Sequence, residues 1–299
     1  MKLKNSVAKK WRLKTPMLVP AQWQGSVEHF YHFFFGYFVP ITLWLEKNPV
    51  PKIAVRDCGP MNPWFELLNP GTTVDFIPPG VMLQRTLTHL QERQIFWGWD
   101  DPTHFQRRNI RKLRSIVGSK LNLESRATAN VDKRITVLMR KDAVDFFDKD
   151  AEVRGSGAAA RSIGNLRDIR NALGSPPNLD FLDTASISPA EQITALWNTG
   201  ILIAQHGAGL SNMVWMQPGT TVIEIQPEQQ PTIDAIFSNL ASASNIKHIT
   251  IRQDHAHADI DVESLANLVN RTMIQGDGTV PKMPGSLPFR VLRSVPRTW

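Results

Sequence analysis

The stretch "ILIAQHGAGLSNMVWMQPGTTVIEIQP", residues 201–227, says most about how this chain folds. Its apolar ends predict two buried strands, and the amphipathic middle predicts a short helix over 210–216. His206, Gly207 and Gly209 stand where the first strand gives way to that helix. Glycine lets a ligand approach the backbone closely, and the first N–H groups of a helix attract anions. The turn therefore predicts a site for a phosphorylated ligand; a tight turn that only reverses the chain is the alternative.

The same turn partly matches a dinucleotide-binding fingerprint. "GAGLSN" reads G-x-G-x-x-N, and Glu224 follows Gly207 by 17 residues. In an NAD site, an acid about 20 residues further on holds the ribose. Asn212, however, occupies the place of the third glycine, and the unit lies in the C-terminal half rather than at the start of a domain. An NAD-dependent oxidoreductase is therefore an alternative function.

Strands and helices alternate around this stretch. The patterns predict strands over 134–140, 179–184 and 248–251, and helices over 162–173, 188–200 and 261–273. Ser188 is the expected N-cap of its helix. Such alternation is typical of a parallel sheet covered by helices on both faces, and ligands of these sheets bind beyond the carboxyl ends of the strands. The turn at His206 lies at such an end.

The first half of the chain is rich in aromatic and basic residues. Its patterns predict a buried helix over 28–48 that bends or ends near Pro40, strands over 52–57 and 73–78, and a helix over 101–121 with Asp101 as N-cap. Basic residues alternate with apolar ones in the last helix, which predicts a solvated basic face; they are Arg107, Arg108, Arg111, Lys112 and Arg114. Because basic clusters also contact phosphate backbones, a nucleic-acid-binding protein is a further alternative.

The composition narrows the class of protein. Hydrophobic residues make up 42% of the 299 residues and charged residues 20%, as in soluble globular proteins. The single cysteine, Cys58, excludes an internal disulfide framework and a Cys-rich metal site. The most apolar stretch, 33–45, has 13 residues, whereas a membrane span needs about 20. No transmembrane span is expected, and the basic tail over 1–14 offers peripheral association with anionic surfaces.

Composition and hydrophobic patterning change along the chain, and this change predicts two domains. Residues 1–121 form the N-terminal domain, and the polar, non-periodic segment 122–132 is the expected linker. Residues 133–275 form the C-terminal domain, and 276–299 are a Pro-rich tail.

Residues 134–227 resemble the conserved region of the glycosyltransferase 61 family (the DUF563 group). That family includes plant xylosyltransferases and arabinosyltransferases, and animal enzymes that add N-acetylglucosamine to O-linked acceptors. The resemblance rests on the strand that ends in Arg140, on the Arg161 and Asn165 pair, and on H-G-A-G-L-x-N over 206–212. The Pro-Gly and Glu-Ile pairs within 218–225 extend it.

The resemblance implies a GT-B-like α/β fold, with two Rossmann-like domains facing across a cleft. It implies an inverting hexosyl- or pentosyltransferase that moves a sugar from a nucleotide-sugar, expected to be a UDP-sugar, to a hydroxyl of a glycan or glycoprotein. Such an enzyme needs a base for the acceptor hydroxyl and stabilisation of the departing diphosphate. No metal and no tightly bound cofactor are expected. The compartment stays open: the Golgi or ER lumen for a eukaryotic fragment, the cytoplasm for a bacterial protein.

The resemblance also assigns roles by position. Arg140 and Arg161 are the expected cations for the donor phosphates, and Asn165 would hold a sugar or phosphate oxygen. The turn that would cradle the diphosphate comprises His206, Gly207, Ala208 and Gly209. Asn212 would fix the loop or touch the donor, and Glu224, at the end of its strand, would bind ribose hydroxyls. His206 is expected at the rim of the site, where it contributes little packing.

The catalytic base is the least defined part of the site. The family's histidine-aromatic segment is matched by His32 and Pro40, but the acid that usually follows is replaced by Gly36 and Tyr37. His32 is the candidate base, since an imidazole titrates near neutral pH. Its rivals are Glu28, Asp100, Asp101 and His104. The missing acid also keeps open a non-catalytic relative that binds nucleotide-sugars.

Overall fold

The computed structural model describes residues 17–18, 30–68, 71–78, 105–124, 134–140, 158, 160–174, 178–228 and 236–276. The basic tail, residues 277–299 of the Pro-rich tail and the rival bases Glu28, Asp100, Asp101 and His104 lie outside these residues. The described strands are β1 (Met17–Leu18), β2 (Lys52–Arg56), β3 (Thr73–Ile77), β4 (Ile135–Leu138), β5 (Leu179–Leu182), β6 (Ile201–Gln205), β7 (Thr221–Pro227) and β8 (Lys247–Gln253).

The described α-helices are α1 (Phe30–Phe33), α2 (Val39–Lys47), α3 (Arg107–Lys120), α4 (Leu166–Ala172), α5 (Pro189–Trp197), α6 (Ile236–Ser244) and α7 (Val262–Gly276). A π-helical turn, Phe34–Phe38, joins α1 to α2, and 3-10 helices span Gly59–Leu67 and Ala208–Trp215. Ser188 caps α5 as predicted: it forms a capping box with Glu191.

The larger sheet has the strand order β5-β4-β6-β7-β8, and every neighbouring pair is parallel. This confirms the predicted α/β class and the parallel sheet. The chain moves outward from β4 to β5 and then continues on the other side of β4 with β6, so the strand order reverses between β4 and β6. In open parallel sheets, ligands bind at the carboxyl edge where this reversal occurs.

Alternate residues of the larger sheet belong to two different apolar clusters. Ile201, Ile203 and Ile223 pack in one cluster with residues of α7, among them Leu265. Leu202, Ala204 and Val222 point to the opposite face and belong to the other cluster, which also contains the N-terminal aromatic residues. Both faces are therefore covered, as the continuous apolar strands predict.

The second cluster joins the two halves of the chain, and we call it the shared cluster. The smaller sheet, with the parallel order β1-β2-β3, contributes Ile53 and Val55. The centre of the Phe34 ring lies 5.7 Å from that of Trp215 in the 3-10 helix, and the two rings stand edge to face. The first and second halves of the described chain therefore pack against each other through apolar side chains.

The aromatic helix changes form before Pro40 and then continues. The N–H of Val39 donates to the carbonyl of Phe34, five residues earlier, which is the bond of a π-helix. Proline has no N–H and its ring collides with the preceding helical turn. The wider π turn accommodates Pro40 near the start of α2, so that the helix reaches Lys47.

The basic helix α3 differs from its prediction in two respects. It begins at Arg107, and Gln106 is its N-cap without a side-chain hydrogen bond, so Asp101 does not cap it. Arg114 is buried rather than solvated: its guanidinium lies 5.0 Å from the centre of the Trp197 ring and donates to Gln217 Oε1 at 3.0 Å. Burial lowers the pKa of Arg114 to about 10. This arginine contributes to packing, because it covers an indole ring.

Candidate functional site

The predicted phosphate turn lies at the reversal point of the larger sheet. His206 and Gly207 follow the carboxyl end of β6, and Arg140 follows the carboxyl end of the neighbouring β4. The short helix predicted over 210–216 is a 3-10 helix, and it begins at Ala208. The turn therefore occupies the edge at which open parallel sheets bind their ligands.

Backbone conformation requires glycine at position 207, and the end of the Arg140 side chain packs closely against it. Its φ of 155° and ψ of −178° belong to a region that essentially only glycine adopts. A methyl group on its Cα would collide with the guanidinium of Arg140. Gly209 differs, since a methyl group there would make an ordinary contact with Leu138 at 3.5 Å.

Two arginines converge on the carbonyl oxygen of His206. Arg140 Nη1 lies 2.9 Å from this oxygen and Arg161 Nη1 lies 3.2 Å from it. Burial, and secondly the positive charge of Arg161, lower the pKa of Arg140 to about 10, so it stays charged at neutral pH. Burial also lowers the pKa of Arg161. Two adjacent cations beside a glycine backbone attract an anion, and a diphosphate suits the donor geometry of guanidinium groups.

A buried carboxylate links two histidines beneath the turn. His206 Nδ1 lies 2.5 Å from Glu224 Oε1, and His248 Nε2 lies 2.7 Å from Glu224 Oε2. Burial raises the pKa of Glu224, but the hydrogen bonds and charges of His206 and His248 together outweigh it and hold the pKa below its usual value. An ionised carboxylate only accepts hydrogen bonds, so both histidine nitrogens that face it carry a proton.

This arrangement corrects two expectations. His206 is only 4% exposed and its ring lies 5.2 Å from that of Phe237, so it is a packed residue and not a rim residue. Glu224 is the fourth residue of β7, paired with Ala204 and Thr250, and three further strand residues follow it. Its position inside the sheet and its two histidine partners support a role in holding His206; a contact with a ribose stays a prediction.

The ionised state of Glu224 makes stability depend on pH. Because its pKa is lower in the folded protein than the ordinary value of 4.5, this carboxylate stabilises the fold above that value, and the contribution is lost as pH falls through the folded pKa. We expect Glu224→Gln to cost about 1–3 kcal/mol at pH 7 and to flatten the fall in melting temperature on acidification. Thermal unfolding between pH 7 and 3 measures this. Glu263→Gln, in an exposed part of α7, is the control that should keep the wild-type pH dependence.

The two candidate asparagines have different surroundings. Asn165 Nδ2 donates to the carbonyl of Ile260 at 2.9 Å, and its Oδ1 accepts from the N–H of Ile260 at 3.0 Å. It joins two loops, and a direct contact with a donor stays a prediction. Asn212 lies in the 3-10 helix and is 1% exposed, and no described residue donates to its Oδ1.

The candidate base His32 lies on α1, where its ring stands edge to face with that of Tyr31. Its neighbour Tyr31 stands edge to face with Phe237 at 6.1 Å, and Phe237 in turn contacts the ring of His206. The α1 helix also lies against the 3-10 helix Ala208–Trp215. The N-terminal candidate and the phosphate turn thus belong to one region, and the catalytic role of His32 stays a prediction.

Three residues of this region are not identified by the sequence pattern: His248, Gln205 and Gln253. The pattern places His248 in a strand, but only the register of β8 against β7 brings it beside Glu224. Among the described residues, no three His, Cys, Asp or Glu side chains form a group that could hold a metal ion. Within those same residues, no helix has the length and apolar character needed to cross a bilayer.

One known protein family matches a large part of this chain. A family model described as Glycosyltransferase 61 matches residues 30–223, from the aromatic helix to the middle of β7. No curated protein matches the chain. The match covers well over half of the chain and includes the candidate base and both arginines. The chain therefore belongs to the glycosyltransferase 61 family, and so to the glycosyltransferases.

Proposed function

We propose that this protein is an inverting, metal-independent glycosyltransferase that moves a sugar from a UDP-sugar to a hydroxyl of a glycan or glycoprotein. The observation that carries the proposal is the convergence of Arg140 and Arg161 on the His206 carbonyl, beside Gly207 and at the reversal point of the sheet. A diphosphate is the part of the donor that this arrangement suits. Family membership supplies the general reaction.

The proposed reaction is a single displacement. The acceptor oxygen attacks the anomeric carbon from the face opposite the diphosphate, and its proton passes to His32. The bond between the anomeric carbon and the phosphate oxygen breaks, and the negative charge that develops on that oxygen is stabilised by Arg140 and Arg161. Cations placed where charge develops are the largest contributors in such reactions.

His206 is proposed to contribute its second ring nitrogen. Glu224 engages Nδ1 and fixes the ring, and no described residue forms a hydrogen bond with Nε2. Nε2 is therefore the atom proposed to contact a phosphate oxygen. A carboxylate that orients a functional imidazole is a recurrent arrangement in catalytic and metal sites.

The proposed architecture is GT-B-like. The larger sheet, within 133–275, is the donor side, and residues 1–121 with the smaller sheet are the acceptor side. Both sheets are parallel, as in Rossmann-like domains. The contact between α1, which carries His32, and the 3-10 helix that follows the donor turn supports this division of roles.

The proposal is tested by a thermal-shift panel of UDP, GDP, their sugars and NAD⁺, followed by transfer assays on each stabilising donor. We expect UDP or a UDP-sugar to raise the melting temperature and NAD⁺ to have no effect. His206→Asn retains a side-chain N–H for Glu224 but lacks Nε2, and we expect it to weaken UDP binding about 10-fold, the worth of one charge-assisted hydrogen bond.

Other results of the ligand panel would point to a different function. Stabilisation by NAD⁺ alone would favour an oxidoreductase, and UDP binding without transfer to any acceptor would identify a non-catalytic relative. If His206→Asn is folded and binds UDP as the wild type does, Nε2 does not contact the phosphate.

A further inference from the structure

The segment that carries Arg161 is fastened along its length to a second loop. The N–H of Ser162 donates to the carbonyl of Ala256 at 2.8 Å, and the N–H of Gly164 donates to that of Ala258 at 3.2 Å. At the next residue, Asn165 forms its paired hydrogen bonds with Ile260. The two segments, 160–165 and 256–260, are thus joined at three points.

Two buried glutamines form hydrogen bonds with the same segment. Gln205 and Gln253 end β6 and β8, and both are buried, with exposed fractions of 4% and 1%. Gln205 Nε2 lies 2.9 Å from the carbonyl oxygen of Ser162 and 2.7 Å from Gln253 Oε1. Gln253 Nε2 lies 2.9 Å from the same Ser162 oxygen and 2.6 Å from that of Ala258.

The Ser162 carbonyl therefore receives two amide donors, and it directly follows Arg161. A partly buried carbonyl that loses its donors costs free energy, so this position of the backbone is preferred over alternatives. Fixing the backbone at residue 162 limits the reach of the preceding arginine, whose Nη1 lies 3.2 Å from the His206 oxygen. A cation that is already in place loses less conformational entropy when an anion binds.

We propose that Gln253, acting with Gln205 through the Ser162 carbonyl, is a positioning residue that holds Arg161 ready for the donor diphosphate. The inference rests on the proposed function, because it takes the diphosphate as the ligand of Arg161. Gln253 lies outside the residues that the family model matches, which end at 223. It touches no proposed substrate atom and acts only through the loop.

The test variant is Gln253→Met, which has nearly the same size and no amide donors. We expect it to weaken binding of UDP and of inorganic pyrophosphate by about 10-fold, because coupling energies between residues of one hydrogen-bond network are commonly of this size. Gln192→Met is the matched control: Gln192 is also buried, and its Nε2 donates to the carbonyls of Thr184 and Ile187 at 2.8 and 3.2 Å. It should lower the melting temperature in a similar way and leave both affinities unchanged.

A double-mutant cycle separates positioning from general loosening. If Gln253 acts through Arg161, Gln253→Met will have no further effect on UDP affinity in an Arg161→Ala background. Additive effects would overturn the inference, as would equal losses of affinity in Gln192→Met. If Gln253→Met fails to fold, Gln205→Met, which removes one of the two donors to Ser162, takes its place in the cycle.

The two proposals fail in distinguishable ways. If neither UDP nor pyrophosphate binds the wild type, the proposed function and this inference fall together. If both bind and Arg161→Ala weakens them but Gln253→Met does not, only the positioning role is overturned.

Discussion

Arg140→Ala is expected to lower kcat/KM for sugar transfer by about 100- to 1000-fold, the loss seen when one donor to a developing negative charge is removed. Arg140 is half-buried and already points its Nη1 at the His206 carbonyl, so its charge acts in surroundings that screen it weakly. Arg140→Lys keeps the charge but not the planar pair of donors, and an intermediate loss is expected. Steady-state kinetics with the donor identified by the thermal-shift panel, together with UDP affinity, measure both variants.

The matched control stands at the other end of the same strand. Arg134 precedes β4, its side chain is exposed, and its Nη1 pairs with Asp180 Oδ2 at 3.0 Å. Because exposed ion pairs contribute little, Arg134→Ala should change neither stability nor transfer appreciably. If Arg140→Ala transfers sugar at the wild-type rate, the donor diphosphate does not bind at this edge of the sheet.

Gly207→Ala is expected to destabilise the protein by about 1–3 kcal/mol, the cost of a strained backbone conformation, because the only atoms that the methyl group would meet closely are the movable end of the Arg140 side chain. The new methyl group would displace the Arg140 guanidinium, and so UDP binding should be lost as well. Chemical denaturation measures the first effect and calorimetric titration the second.

Substitutions at two other glycines distinguish the effect of backbone strain from the effect of the added methyl group. Gly219 has a φ of 90°, and nothing lies within 4 Å of the place that a methyl group would take there, so Gly219→Ala reports conformational strain alone. Gly209→Ala reports an added methyl group in ordinary contact, and we expect it to cost less than about 1 kcal/mol. If Gly207→Ala binds UDP as well as Gly219→Ala does, displacement of the Arg140 guanidinium does not affect the donor site.

Much of the larger sheet can be predicted because its signals are local. The apolar runs at 201–205 and 221–227 form strands, and Ser188 caps a helix whose sequence contains Glu191 three positions later. The carboxyl-edge rule places the turn at His206 on the edge of the sheet where ligands bind. Arg140 is assigned to the same site through the resemblance to the family, and the pairing of β4 with β6 is seen only in the structure.

The errors concern residues whose environment depends on distant partners. Asp101 has the chemistry of an N-cap, but α3 starts at Arg107. Arg114 belongs to a basic pattern, yet its guanidinium packs on the indole of Trp197. The glycines after His206 suggest a rim position, but the direction of its ring is set by Glu224 on the next strand.

The supporting residues of the site are beyond sequence reasoning for a related reason. Gln253 and His248 lie on β8, and their partners are fixed by strand register and by a loop about 90 positions earlier in the chain. A one-residue shift in register would turn each of these two side chains to the face of the sheet opposite to the one it now occupies. Nothing in the local pattern of β8 determines that register.

The shared cluster has a thermodynamic consequence. Unfolding of either half would strip the other of its apolar cover, since Phe34 and Trp215 are both fully buried against each other's elements. We therefore expect the two halves to unfold together rather than in separate transitions. If a donor binds at Arg140 as proposed, it will also stabilise the aromatic helix against denaturation, to the extent given by the donor's concentration and dissociation constant.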